Sequence, residues 1–480
     1  QEVMLQEIFK PNCMTSVFEY LNIERLQIGV YSYIHLLLFI KEHDNSKLLN
    51  LEKPTIYTNN EILNLNRNTI YRLNIIDSNQ QENNTNVKSL FNVVNMTVTN
   101  IGKRTLKNRL LFPITNVDIL NKRYDLAEYF IHNNDTLNLF KNELKNISDI
   151  ERLNRKLVTL KLNKESDLLN LYISLTYLQK IFTNITTPLL NLLNIDETFI
   201  KYFNIFYNKI SEIFNVNSLY NRSINIFNKG YDENIDKLDD TYTKHTFIFK
   251  ELCKNFTNMI KNEDKKQYEK DIKLVDFEWS DRDTSYNITT TEARSKKIKS
   301  YLLKNKKLNI KNNDYDLDLT LTNETLQYKN SSAGGKTKIK SDYINKLSDD
   351  LYKSKLALEN TVNKKYNSVL EELYKYNDLL KLIITFIAEV DCAISTASNF
   401  LKYNYCKPTL DQSNTKSYLD CKDIRHPIIE RIINCLYVTN DICMGKDTLD
   451  GMLLFGTNSC GKSSLMKAIG LCVIMAQAGL

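Results

Sequence analysis

GMLLFGTNSCGKSSLMKAIG, residues 451–470, is the stretch on which the reading of the whole chain turns. An apolar run, Gly451–Phe455, stops at a loop that carries Gly456, Gly461, Lys462 and Ser463 in Gly-x4-Gly-Lys-Ser spacing. Each residue type has a chemical reason. Glycines let the backbone approach phosphates without a Cβ in the way, and their N–H groups form an anion nest. A lysine at position 462 reaches the β- and γ-phosphates of ATP, and a hydroxyl at position 463 suits Mg²⁺. The order expected is buried strand, loop and helix, with Leu465, Ile469, Val473 and Ala476 on one helical face and the helix N-terminus aimed at the phosphates.

Only 24 residues follow Gly456, so most of the chain precedes the loop. Those residues read as helix. Gly and Pro number just 11 and 6 in 480 residues, which leaves few helix breakers. Between Ile114 and Val275 the only two are Pro188 and Gly230. Segments such as DILNKRYDLAEYF (118–130) and SDIERLNRKLVTLKL (148–162) repeat apolar residues at spacings of three and four. A second breaker-free run goes from Lys336 to Lys407, striped by Leu347, Leu351, Val362, Tyr366, Leu370, Leu373, Leu380, Ile384 and Ile387. Two long helical runs around a different segment indicate an arm going out and an arm coming back.

The enclosed segment, 276–340, alternates as strands do in TSYNITTT (284–291) and LDLTLT (317–322), and SSAGGKTK (331–338) reads as a turn. From Arg294 to Lys340 there are twelve Lys or Arg and four Asp or Glu, a net of +8. The whole chain is +7, so this tip holds the entire surplus. Lys296, Lys297, Lys299, Lys336 and Lys338 are the candidate contacts to DNA phosphates.

Other classes are excluded or disfavoured. Nine cysteines form no CxxC pair and the five histidines show no ligand spacing, which argues against structural zinc and fits reduced intracellular thiols. The longest apolar stretch, IGVYSYIHLLLFI (28–40), is too short and too polar to span a bilayer and reads as a buried helix. Neither a signal peptide nor a membrane partner is expected. Both ends of the chain read as cut, with Gln rather than Met first and an apolar helical pattern last.

Taken together, FIAEVDCAISTASNFLKYNYCKPTL (386–410), DIRHPIIERI (423–432), LYVTNDI (436–442) and the loop resemble the opening of the ATPase domain of MutS-type DNA mismatch-repair proteins. LNRNTIYRLNII (65–76) and residues 89–130 are similar to that family's core, and DIERLNRKL (149–157) and GYDENIDKL (230–238) to its lever helices. SVFEYLNIERLQI (16–28) and the spelling of the loop resemble the branch known from giant viruses and coral mitochondria.

The resemblance implies a mainly α fold: a core at 1–150, outgoing lever helices at 151–275, a small β-containing clamp at 276–340, a returning lever at 341–403, and the start of an α/β P-loop ATPase domain of the ABC type at 404–480. It implies ATP and Mg²⁺ as cofactors, held by Gly456, Asn458, Ser459, Cys460, Gly461, Lys462, Ser463 and Ser464, with Tyr437 stacked on adenine. Its partners would be double-stranded DNA and a second subunit, in a homodimer or heterodimer. His426, in the RHP of the domain's entrance, reads as structural. Thr457 and Cys460 depart from the usual loop, which has Pro and Gly there.

The family's mismatch-reading domain has no counterpart, and its acidic strand and trans-acting loop would fall after Leu480, so the chain is expected to be a fragment without hydrolysis of its own. Two rivals compete. A chromosome-structural or double-strand-break ATPase with coiled-coil arms would place its loop before the arms. A non-enzymatic DNA-clamping module with a decayed loop fits less well with intact Lys462 and Ser463.

Overall fold

The run after Gly230 forms one 31-residue helix, Glu233–Glu263, about 46 Å long at 1.5 Å per residue. Its N-cap, Asp232, accepts from the amides of Asn234 and Ile235 and also pairs with Lys365 on the returning helix at 3.1 Å. This is a computed structural model, and it describes residues 2–11, 16–48, 51–54, 61–77, 88–264, 272–281, 283–305, 308–312, 317–330, 336–412, 416–445, 450–458 and 460–480.

The returning run divides in two. Asp342–Tyr374 starts on Ser341, whose Oγ accepts from Ile344 N, and Asn377–Tyr403 follows after a break at Lys375 and Tyr376. No Pro or Gly marks the break. The Lys375 and Tyr376 amides donate three residues back, to Glu372 and Leu373, and the Tyr376 ring lies 4.8 Å from that of Phe206. A tertiary contact ends this helix, which is why its sequence looks continuous. Of the nine stripe residues, Ile384 is half-buried and the other eight are buried.

The segment expected as outgoing lever helices, 151–275, begins with five shorter helices: Ile150–Val158, Asp167–Thr183, Thr187–Leu192, Glu197–Ile213 and Val216–Tyr220. Their apolar faces join the main cluster with Phe130, Phe140 and the buried stripe from Leu358 to Ala397. Among the described helices of that segment, only Glu233–Glu263 runs outward. A second cluster sits at its far end, where Phe249, Leu252 and Phe256 meet Ile288, Ile298, Ile339 and Leu351.

That second cluster supports the tip. Strands β1 (Asp276–Ser280), β2 (Ser285–Thr291), β5 (Gln327–Asn330) and β6 (Lys336–Lys340) form an antiparallel sheet in the order β1-β2-β6-β5. Strands β3 (Leu308–Asn312) and β4 (Leu317–Leu321) make a separate hairpin, and the helix Glu292–Asn305 lies between β2 and β3 in the chain. Both expected strand segments are strands. Residues 331–335 of the expected turn lie outside the described residues, and Lys336–Lys338 open β6. In register, Phe277, Ile288, Ile339 and Tyr328 form one cross-strand row turned to the helices. The adjacent row, Asp276, Thr289, Lys338 and Lys329, faces the other way, as a period of two requires.

The chain divides into two compact units, residues 1–65 with 114–116, and residues 66–113 with 117–480. The expected 1–150 core is thus shared between them. In the first unit, IGVYSYIHLLLFI is helical, within Gln27–His43, but only Ile34 and Leu37 are buried. It packs on a small cluster with Leu5, Val17 and Leu21, too little surface to cover its whole circumference. Among the described residues no helix is long and apolar enough to cross a membrane.

The C-terminal stretch differs from expectation twice. β7 (Leu419–Ile424) pairs only with β8 (Asn440–Met444) among the described strands. Gly451–Phe455 is not a strand, and Leu453 and Phe455 are 88% and 85% exposed. A strand needs a neighbour to take its backbone hydrogen bonds, and no described strand lies beside this run. The helix Lys462–Ala478 buries Ala468, Leu471, Ile474, Met475 and Ala478, whereas Leu465, Ile469, Val473 and Ala476 are half-buried. It is apolar on nearly all sides, so periodicity could not choose the face.

Candidate phosphate loop and basic tip

Gly461 stands at the N-cap of the Lys462–Ala478 helix with φ +92. A Cβ there would meet nothing within 4 Å. Glycine is required at 461 for the left-handed backbone rather than for space. Among the described residues no side chain caps this helix, so the first-turn N–H groups of Lys462, Ser463 and Ser464 stay open to an anion at the positive end of the dipole. The Lys462 ammonium folds back over the loop and donates to the carbonyls of Gly456 (2.7 Å) and Thr457 (2.5 Å). Cys460 Sγ lies 3.5 Å from the same nitrogen. A Cβ at Gly456 would stand 2.9 Å from that sulfur, so Cys460 fills space that Gly456 leaves.

The loop therefore brings Gly456, Cys460, Gly461 and Lys462 together, with Asn458 and Ser463 exposed beside them and Ser464 half-buried. Ser459 lies outside the described residues. Tyr437 is half-buried on the irregular stretch before β8 and makes no hydrogen bond or ring contact with the loop among the described residues. Open first-turn amides, a positive-φ glycine and an ammonium held by replaceable carbonyls fit a nucleotide's phosphates. Among the described residues no group of three or more His, Cys, Asp or Glu could hold a metal. A magnesium ion here would depend on the Ser463 hydroxyl and the phosphates themselves.

The loop helix is tied to the rest of its unit at its other end. The Tyr124 hydroxyl donates to Ala476 O at 2.5 Å, Arg123 Nη1 to Ala478 O at 3.2 Å, and Thr396 Oγ1 to Gly479 O at 3.3 Å. The helix closes there on Gly479, φ +82, with Gly479 N and Leu480 N donating back to Ala476 and Met475. Nothing in the sequence marked Arg123, Tyr124 or Thr396, which lie 83 to 355 residues from their acceptors.

At the domain's entrance, Arg425 donates to the carbonyls of Tyr403 and Asn404 and pairs with Glu430 at 2.8 Å. It thereby caps the C-terminus of Asn377–Tyr403. His426 is buried, and its Nδ1 accepts from the amides of Ile428 (3.3 Å) and Ile429 (3.2 Å). Burial, with Lys467 nearby, pushes its pKa down to about 4. It is structural, as expected.

At the tip, four of the five candidate lysines hold carboxylates. Lys296 pairs with Glu292 at 2.9 Å, Lys336 with Glu278 at 2.9 Å, Lys297 with Asp264 and Lys338 with Asp283. Lys299 is exposed and makes no ion pair among the described residues. The partners come from residues 263–293, which carry nine Asp or Glu against five Lys or Arg, a net of −4. The count over 294–340 stopped just short of them.

The family profile of MutS domain III matches residues 68–397. A DNA mismatch-repair mutS homologue of Acanthamoeba polyphaga mimivirus is 32% identical over an alignment of 517 residues, covering 98% of this chain and 45% of that protein. A mitochondrial mutS homologue of Sarcophyton glaucum is 27% identical over 95% of the chain and 44% of its own length. The MutS of Caldanaerobacter subterraneus is 27% identical over 96% of the chain and 48% of its own. The chain spans a little under half the length of these curated relatives. With the profile covering most of the chain and a relative this similar along nearly all of it, the chain belongs to the MutS family.

Proposed function

We propose that this chain is the core, levers, clamp and opening ATPase segment of a DNA mismatch-repair protein that closes on duplex DNA and uses ATP to change its grip. Glu233–Glu263 and Asp342–Tyr374 act as the levers, residues 276–340 as the clamp, and the nucleotide segment begins near Asn404. The whole protein works as a dimer. One observation carries this reading: a phosphate-type loop opens a helix docked on the same core from which two long helices run to a lysine-bearing tip.

In the nucleotide step, Lys462 exchanges the carbonyls of Gly456 and Thr457 for phosphate oxygens, and the first-turn amides take the remaining oxygens. The Ser463 hydroxyl would help to hold Mg²⁺, which would supply charge neutralisation to the phosphates. Tyr437 takes the adenine face. At the tip, lysines exchange carboxylates for DNA phosphates. Such contacts carry affinity rather than base sequence, and they favour a clamp that tolerates many sequences.

The experiment is equilibrium binding with the full-length protein. Lys462→Ala should weaken an ATP analogue at least about tenfold, some 1.4 kcal/mol, and leave nucleotide-free duplex binding in place. Duplexes with and without one mismatch are compared in the same assay. Unchanged nucleotide affinity in Lys462→Ala, or no preference for the mismatched duplex, would each count against the corresponding half of the proposal.

A further inference from the structure

We propose that Arg123, Tyr124 and Thr396 are positioning residues that join the far end of the loop helix to the arm, and that nucleotide and duplex DNA influence each other through this joint. The inference rests on the nucleotide reading above and assigns it a route.

The loop helix has its ligand-facing amides at one end and the joint at the other. A 17-residue helix is a stiff rod of about 26 Å, so a shift of the loop around phosphates is delivered to Ala476, Ala478 and Gly479. Ala476 O also accepts from Gly479 N, whereas the Ala478 and Gly479 carbonyls have no other donor among the described residues, and this end of the helix is the negative end of its dipole. Three donors from the core meet them.

Arg123 is the most exacting of the three. It is half-buried beside a second cation, Arg109, whose carboxylate partner is Glu389 at 2.6 Å. Among the described residues Arg123 has no ion pair of its own, and burial together with Arg109 pushes its pKa down to about 10. Its acceptor is the helix end. A cation so placed is costly to strand, so displacement of the helix must move Arg123 or lose its hydrogen bond.

The fit is close. A Cβ at Gly479 would lie 2.8 Å from Arg123 Cδ, and the glycine's φ of +82 forbids most other residues independently. Halfway along the rod, a Cβ at Gly470 would lie 3.3 Å from Leu73.

The arm begins at the same place. Arg123 and Tyr124 lie on the helix Val117–His132, which packs along Asn377–Tyr403, the helix that bears Thr396. Asn377–Tyr403 is preceded, across the break at Lys375 and Tyr376, by the Asp342–Tyr374 helix that reaches the tip. One element thus touches the end of the loop helix and leads to the DNA-facing lysines.

The test uses full-length protein. Affinity for an ATP analogue is measured with and without saturating duplex, and duplex affinity with and without the analogue. The two ratios must agree, because coupling is reciprocal. Wild type should show a coupling factor on the order of ten or more. Tyr124→Phe combined with Thr396→Val removes two hydroxyls at nearly constant shape, and Arg123→Met removes the third donor. Each should bring the factor to within about twofold of one while single-ligand affinities change less than about threefold; Arg123→Lys should restore part of it. If Arg123→Met does not fold, the double variant carries the test. Variants that keep the wild-type factor overturn the joint, as does a wild type that binds both ligands without coupling. A wild type that binds no nucleotide overturns the proposed function beneath it.

Discussion

His426 accepts two backbone amides through Nδ1 and is neutral in the fold, with its pKa near 4 against an ordinary 6.5. The unfolded chain takes up a proton below about pH 6.5 that the folded chain refuses until about pH 4, so stability falls as pH drops through that window, by up to about 3 kcal/mol. His426→Asn, which keeps an acceptor oxygen and loses the titration, should flatten this part of the curve in urea unfolding at pH 4 to 7. An equally steep curve in the variant would assign the effect elsewhere. Asp391 presents a different constraint. It is fully buried and accepts from Val98 N, Thr99 N and Thr99 Oγ1. Gly102 makes room for it, since a Cβ there would stand 2.2 Å from Asp391 Oδ2. Gly102→Ala should cost about 1–3 kcal/mol by overpacking, although alanine is ordinarily the better helix former. A stabilised variant in thermal unfolding would refute this.

The arm is built from two helices whose shared stripe serves two separate clusters. Between them the contacts turn polar: His245 Nδ1 lies 3.2 Å from Ser354 Oγ. Tyr242, partly buried, borders both clusters. Opening should therefore occur in two units rather than along one continuous zipper. Leu351→Ala, in the outer cluster, should cost about 2–5 kcal/mol and raise hydrogen exchange in β2, β6 and Glu292–Asn305 while Asn377–Tyr403 keeps its protection. Leu373→Ala, in the inner cluster, should do the reverse. Loss of protection throughout for both variants would mean that the arm and core melt as one.

Charge belongs to the folded molecule more than to any window of its sequence. The +8 of residues 294–340 meets the −4 of 263–293 through ion pairs that fold makes. The exposed lysines of the tip without such partners among the described residues, Lys299 and Lys329, should contribute most to counterion release. In duplex binding across a salt series, Lys299→Ala or Lys329→Ala should each lower the slope of log affinity against log salt by about 0.9. Lys336→Ala or Lys338→Ala should lower it less, since each lysine already neutralises Glu278 or Asp283. Equal losses at all four positions would show that the carboxylates give up their lysines freely on binding.

By itself the sequence determined the helical class, the two long arms, the strand segments of the tip and the spacing of the phosphate loop. Those follow from local rules: breaker scarcity, side-chain period and the fixed spacing of the loop's glycines, lysine and serine. Tertiary structure alone decided where the returning helix breaks, because a ring contact between Phe206 and Tyr376 leaves no mark that a breaker would. It decided which face of the loop helix is buried, because an all-round apolar helix carries no phase. It also decided that Gly451–Phe455 pairs with no strand among the described residues, since a strand exists only beside another. The Arg123, Tyr124 and Thr396 joint belongs to the same class, for its donors and acceptors are brought together only by packing of helices far apart in the chain.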